Sequence, residues 1–182
     1  MIYKDIPNLL DSFYQNNKKK LRTGTILFGL IEEEERWHTH LQPPLSSEKI
    51  DQLMKKFDRP ALNAYRTFLT HFNGCYLFDL VRIAGYVESY RGMSIEEEGY
   101  QPFPIESMQQ MYARKRNPED WFIFADSLAW ECFFVINKDD QILQVNRRGK
   151  KEKSFDNMED FLKECMNAGK FNLEHNIWFD FK

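Results

Sequence analysis

The chain has 182 residues, with 25 lysine and arginine residues against 28 aspartate and glutamate residues, and a formal net charge of −3 at neutral pH. Its length is that of one domain. Its 42% hydrophobic and 15% aromatic residues are sufficient for a substantial core and argue against a disordered chain. The slightly acidic total argues against a general nucleic-acid binder, whose surface would be strongly basic.

Nothing in the sequence predicts export or insertion into a membrane. The longest apolar stretch, over 26–31, falls far short of the roughly 20 residues that a membrane-spanning helix needs. An acid, Asp5, stands where a signal peptide would be apolar. Three widely spaced cysteines lie among apolar neighbours and are predicted to be buried free thiols: Cys75, Cys132 and Cys165. We therefore expect a cytoplasmic protein.

The first half of the chain predicts helices separated by short strands. Apolar residues at helical spacing predict a helix over 6–13 and a second over 50–57, which Ser46 or Ser47 caps. A third helix is predicted over 60–72, with Asn73-Gly74 ending it in the left-handed conformation. Runs of β-prone residues predict the extended segments, at 25–31 and 75–86.

The second half predicts an antiparallel meander between two helical segments. The polar stretch 88–104 is interpreted as an excursion from the core, followed by a short helix over 105–112. Three β-rich runs joined by short turns predict a meander, at 121–125, 130–136 and 142–145. The remaining predictions are a basic loop at 147–153, a helix over 158–166 capped by Asn157, and an aromatic tail at 171–182 that packs on the body.

Few side chains form a pattern that suggests catalysis. His38 and His40 alternate along a strand and could share a face, but two histidines are fewer than a metal site needs. His71 and Cys75 lie one helical turn apart, but the intervening Asn73-Gly74 should end the helix between them. We therefore predict no catalytic residue, no metal and no cofactor. A small hydrolase that uses these histidines is the least favoured of three functional hypotheses.

Charged residues are concentrated in three places. The basic segment 147–153 is interpreted as solvated, because no exposed aromatic residue is interleaved with it. The acidic runs Glu32 to Glu35 and Glu96 to Glu98 have two interpretations. They are either solvated surface or a means of steering a basic protein partner.

The order of these pieces resembles the SUKH superfamily, which includes bacterial toxin-immunity proteins and fungal regulators of cell-wall synthesis. The matching residues run from about 37 to 166. They are Pro44 and Ile50, Tyr65-Arg66-Thr67-Phe68-Leu69 followed by Asn73-Gly74, the strand from Trp121 to Asp126, and Ser154-Phe155 leading to Phe161-Leu162. Residues 1–36 and 167–182 would then be an amino-terminal helix–strand extension and a carboxy-terminal tail of one domain.

The resemblance implies an α+β domain with a mainly antiparallel sheet, packed by helices on one side. It also implies a non-enzymatic protein that binds a cognate toxin domain, such as a nuclease, and blocks it; no membrane and no direct nucleic-acid binding are expected. The alternative that the resemblance offers is a regulatory scaffold for endogenous proteins. The candidate partner-binding residues are Glu88, Glu96, Glu97, Glu98, Tyr100, Asp126, Trp130 and Glu131.

Overall fold

The computed structural model describes residues 2–29, 37–57, 62–113 and 121–177. Within these ranges nine strands form one sheet, in which each strand pairs antiparallel with the next in the chain. The strands are β1 (Lys18–Lys20), β2 (Ile26–Phe28), β3 (Thr39–Leu41), β4 (Cys75–Leu77), β5 (Val81–Ile83), β6 (Phe122–Ser127), β7 (Cys132–Ile136), β8 (Ile142–Asn146) and β9 (Lys151–Phe155). The helices are α1 (Ile6–Phe13), α2 (Ser47–Met54), α3 (Asn63–Leu69), α4 (Ile95–Gly99), α5 (Ile105–Met111) and α6 (Met158–Glu174). The predicted α+β fold is confirmed.

Helices α3 and α6 cover one face of the sheet with aromatic side chains. The ring of Phe161 in α6 lies 5.4 Å from that of Phe124 and 4.8 Å from that of Phe134. Tyr65 of α3 packs on Phe122 at 5.4 Å, and its buried hydroxyl donates to the carbonyl of Ala84 at 2.8 Å. These contacts form the main core, because large aromatic side chains supply most of the apolar area that a small domain can bury.

The opposite face, which we call the open face, carries Asp126 and Phe133. Phe133 and Phe134 are consecutive in β7 and so point to opposite faces. Phe133 lies opposite Asp126 in the β6–β7 register and stacks on Tyr112 at 4.9 Å. Residues 86–113, which we call the crossing segment, therefore run partly over the open face. The sequence predicted an excursion and a short helix here, but did not predict α4.

Helix α5 takes the place of a strand beside β6. Strand β5 ends at Ile83, so the backbone of Ile123 has no strand partner on that side. The side-chain amide of Gln109 in α5 donates to the carbonyl of Ile123 and accepts from its N–H at 3.4 Å. A buried backbone group without a partner would cost free energy, and Gln109 removes that cost.

The strands at the two edges of the sheet, β1 and β9, were not predicted. The interpretation of 147–153 as a loop is wrong over its last three residues, because Lys151–Phe155 pairs with β8 and only the turn at 147–150 is irregular. Lys18–Lys20 forms β1 inside a stretch that reads as polar. Edge strands tolerate lysines, which discourage pairing with another chain, so their sequences lack an apolar alternation.

The β-prone segment 75–86 is a hairpin. Its turn places Phe78 and Asp79 at φ +57° and +56°, and the N–H of Leu80 donates to the carbonyl of Leu77 at 2.8 Å. Two consecutive positive φ angles match the twist of a hairpin. The ring of Phe78 lies directly against Gly169 of α6, where an added Cβ would be 2.0 Å from the ring.

The predicted helix caps at Ser46 and Asn157 are confirmed by bonds from the N–H groups of Lys49 and Asp160. Gly74 is left-handed at φ +81°, although α3 already ends at Leu69. Helix α6 runs eight residues beyond Met166, and Phe171 on it is 52% exposed instead of packed on the body. Glu32 to Glu35, the start of the third predicted helix and the last five residues of the tail lie outside the described residues. No helix in the described ranges has the length and apolar character to cross a membrane.

The contact between Phe78 and Gly169 predicts that Gly169→Ala destabilises the fold. Helix propensity alone would make this substitution stabilising by about 0.5–1 kcal/mol. The clash with a buried ring should instead lower the free energy of unfolding by about 2 kcal/mol, measured by urea denaturation. Asn167→Ala, at an exposed position of the same helix, is the control and should be neutral or stabilising. Equal stability of Gly169→Ala and the unaltered chain would contradict the close contact.

Candidate functional site

A groove of about 530 Å³ lies on the open face, between strands β3 to β6 and the crossing segment. Side chains from four strands line it, namely His40, Tyr76, Arg82 and Asp126. The crossing segment contributes Tyr90 and residues 98–99 and 101–104, and the β6–β7 turn contributes Leu128. Tyr90 and Leu128 remain 44% and 49% exposed. The groove therefore combines a polar floor with exposed apolar side chains.

An ion pair between Arg82 and Asp126 joins β5 and β6 at the groove. The guanidinium of Arg82 donates to both carboxylate oxygens of Asp126, at 3.0 and 2.7 Å, and Asp126 is only 1% exposed. The hydroxyl of Tyr112 donates to the same carboxylate at 2.8 Å. The ring of Phe103 lies 3.9 Å from the guanidinium carbon. Burial, and next the charge of Asp126, raise the pKa of Tyr112, so its hydroxyl stays protonated and donating.

His40 is held among aromatic rings at the groove. Its ring lies 5.5 Å from that of Tyr76 and 5.5 Å from that of Tyr100, the latter edge-on. Burial lowers the pKa of His40 to about 4, against a small opposing effect of Asp79. The imidazole is therefore neutral at physiological pH and contributes shape more than charge.

The residues considered for catalysis do not come together. His38 is buried, and its Nδ1 lies 2.9 Å from the carboxylate of Asp79. His71 stacks on Tyr3 at 4.6 Å, and burial raises the pKa of the Cys75 thiol. A nucleophilic cysteine needs a lowered pKa, so this environment is the reverse of the activating one. In the described part of the chain, no three potential metal ligands form a cluster.

Two of the predicted partner-binding carboxylates, Asp126 and Glu97, point inward. Asp126 lies in the ion pair with Arg82 described above. Glu97 of α4 is 6% exposed and accepts hydrogen bonds from Arg22 at 3.0 and 2.8 Å and from the N–H of Ser94 at 2.8 Å. The hydrogen bonds from Arg22 hold the pKa of Glu97 below its usual value. Both carboxylates therefore already have hydrogen-bond partners within the chain.

The exposed predicted carboxylates differ in how far the chain itself neutralises them. Glu88 pairs with Lys49, Glu96 with Lys19 at 2.6 Å, and Glu131 with Arg147 at 3.7 Å. Glu98 is exposed, lines the groove and has no ion-pair partner among the residues described. The acidic run 96–98 therefore presents one uncompensated charge to the groove.

The two aromatic residues among the predicted partner-binding residues, Tyr100 and Trp130, are partly engaged inside the fold. Tyr100 contacts His40, and its carbonyl accepts from the side chain of Gln42. Trp130 is half-buried and meets Phe134 edge-on at 6.4 Å. Tyr90 and Leu128, which sequence reasoning missed, are the more exposed apolar side chains at the groove. Neither lies in an apolar pattern, so the sequence holds no periodic signal that would have identified them.

The environment of His40 predicts a pH dependence of stability. Below about pH 6.5 the unfolded chain protonates this imidazole, whereas the folded chain does so only near pH 4. The free energy of unfolding should therefore fall as the pH drops through this window, by at most about 1.4 kcal/mol per pH unit from His40. Urea midpoints measured between pH 7.5 and 4.5 should show a shallower slope for His40→Asn. Equal slopes for the two proteins would contradict the lowered pKa.

The buried ion pair predicts a large effect of Asp126→Ala. The substitution leaves Arg82 and the hydroxyl of Tyr112 without their acceptor, so the free energy of unfolding should fall by about 3 kcal/mol. Glu88→Ala removes an exposed carboxylate from its pair with Lys49, and should change stability by less than about 1 kcal/mol. Chemical denaturation of both variants measures the difference in the free energy of unfolding. Similar losses for Asp126→Ala and Glu88→Ala would contradict the larger contribution that we assign to the Arg82–Asp126 pair.

Comparison with protein families found a match over the part of the chain that carries most of the groove. The model of the SMI1 / KNR4 family (SUKH-1) matches residues 44–164, which is two-thirds of the chain. The match begins before α2, ends within α6 and includes Arg82 and Asp126. A comparison with curated proteins found no match. The family match confirms the resemblance inferred from the sequence, and the chain belongs to the SMI1/KNR4 family (SUKH-1).

Proposed function

We propose that the chain is a non-catalytic protein-binding domain, and that it acts as an immunity protein by stoichiometric binding of a cognate toxin domain. The observation that carries the proposal is the groove on the open face. Tyr90 and Leu128 stand half-exposed there beside Glu98, the carboxylate without an ion-pair partner among the described residues. Exposed apolar side chains next to a few charged groups are typical of protein interfaces.

The proposed mechanism is occlusion. Toxin side chains enter the groove and cover Tyr90 and Leu128, while a basic group on the toxin pairs with Glu98. The Arg82–Asp126 pair would act as a fixed floor, since its hydrogen bonds are satisfied without a partner. A nuclease toxin fits this arrangement, because the cleft that binds its phosphate substrate is basic. Such binding would block the cleft and require no chemistry from this chain.

A regulatory scaffold is the second candidate, because the family name covers SMI1 and KNR4 and the superfamily includes fungal regulators of cell-wall synthesis. In that case the same groove would bind endogenous proteins. The gene neighbourhood discriminates the two functions: a toxin gene immediately upstream favours immunity, and its absence favours the scaffold.

The proposal predicts that one substitution in the groove removes protection. Cells that express the toxin encoded beside this gene should survive with the unaltered chain and die with Leu128→Asp, which places a charge among the exposed apolar side chains. In calorimetry with the purified toxin domain, Leu128→Asp should raise Kd at least tenfold. Phe171→Asp is the matched control, because Phe171 is equally exposed, at 52%, but lies on α6.

Cell death despite abundant soluble unaltered protein would contradict the immunity function. Equal protection by the Leu128 and Phe171 variants would contradict the assignment of the groove. Urea denaturation of both variants should show folded proteins, so that a loss of binding is not a loss of structure.

A further inference from the structure

Ile95, the first residue of α4, is 91% exposed, the largest value for a bulky apolar side chain in the described ranges. A single exposed apolar residue is common on protein surfaces and by itself indicates nothing. Two other features distinguish Ile95: the backbone that carries it is fixed, and Glu98, three residues further along α4, lines the groove.

The backbone around Ile95 is fixed by polar contacts within α4 and its cap and by contacts from β1 and the turn that follows it. Arg22, in the turn between β1 and β2, donates to the carbonyl of Gly92 at 2.7 Å as well as to the buried carboxylate of Glu97. Ser94 and Glu97 form a reciprocal capping box, at 3.2 and 2.8 Å. Lys19 of β1 pairs with Glu96 at 2.6 Å. A five-residue helix would not hold its shape alone, and these contacts supply what it lacks.

The charge beside Ile95 is unevenly compensated. Residues three apart are neighbours on a helix surface, so Glu98 lies next to Ile95. Glu96 and Glu97 are paired with Lys19 and Arg22, whereas Glu98 has no ion-pair partner in the part of the chain that the structure describes. Glu98 also lines the groove together with Tyr90. Ile95 is therefore an exposed apolar side chain next to a carboxylate that lines the groove and has no ion-pair partner among the described residues.

We propose that Ile95 is the anchor of the partner interface: it inserts into an apolar pocket of the toxin domain that is bordered by a lysine or arginine, which pairs with Glu98. This inference rests on the proposed function and names the contact chemistry of its partner. A side chain presented on a fixed backbone loses little conformational entropy on binding, so its buried area contributes more of its full value. Anchor residues of this kind dominate the energetics of protein interfaces. Arg22 is a positioning residue, which acts by holding α4.

The test measures Kd by calorimetry between the full chain and the toxin domain encoded beside its gene. Ile95→Asn should raise Kd at least tenfold, and Ile95→Val should stay within about threefold, because it keeps an apolar side chain for the pocket. Ile177→Asn is the matched control: the same residue type, 42% exposed after the end of α6, should leave Kd unchanged. Glu98→Gln should weaken binding and flatten its dependence on salt.

A double-mutant cycle separates positioning from direct contact. Arg22→Gln should raise Kd, accelerate amide exchange over 92–98 more than elsewhere in the fold, and lower the urea midpoint, because the buried carboxylate of Glu97 loses its cationic partner. In the Ile95→Asn background the same substitution should add little, because the anchor that Arg22 positions is gone. A full additive loss in that background would overturn the positioning role.

The outcomes separate the two claims. If the unaltered chain binds the toxin domain and Ile95→Asn binds equally well, the anchor is overturned and the groove proposal stands. If the unaltered chain does not bind, both are overturned. If Ile95→Asn weakens binding and Ile177→Asn does not, the anchor is supported.

Discussion

The ion pair between Arg82 and Asp126 is the interaction on which the open face depends. It joins β5 and β6 at the point where their register is short, with two residue pairs. Phe103 and Tyr112, which lie before and after α5, both contact it, so the charged pair fastens the crossing segment to the sheet together with the hydrogen bonds between Gln109 and Ile123. The groove exists because this segment is held over the sheet without covering it entirely.

Ion pairs within the chain also determine the charge of the surface around the groove. A net charge of −3 conceals a chain in which Asp126, Glu97 and Glu96 are each neutralised by a basic residue from another part of the structure. The acidic run therefore does not act as an extended patch, and Glu98 is its remaining free member within the described residues. Salt screens the interaction between exposed charges that lie far apart. Recognition of a partner would then depend on shape and a few defined contacts more than on the overall electrostatic potential of the surface.

The sequence allowed prediction of the elements whose apolar residues repeat at a fixed period. Helix α1 agrees with its prediction at both ends, and the β6–β8 meander is confirmed, because burial dictates these patterns. The edge strands β1 and β9 escaped prediction because lysines carry no burial signal. The turn at Phe78 contains no glycine and is held by tertiary contacts with α6. The inward direction of Glu97 depends on Arg22, which lies 75 residues away in the chain, so local sequence could not reveal it.

Together these features describe a domain of the SMI1/KNR4 family in which the polar groups at the floor of the groove, Arg82 and Asp126, bond each other. Tyr90, Leu128 and Glu98 at the rim of the groove are exposed, and the rim is where we propose that a toxin binds. Hydrogen exchange measured with and without the toxin domain encoded beside the gene tests this claim most directly. The account predicts slower exchange over 90–103 and 126–131 in the complex, with α6 unchanged. Protection confined to α6 and the adjacent α3, with the groove exchanging as in the free chain, would contradict it.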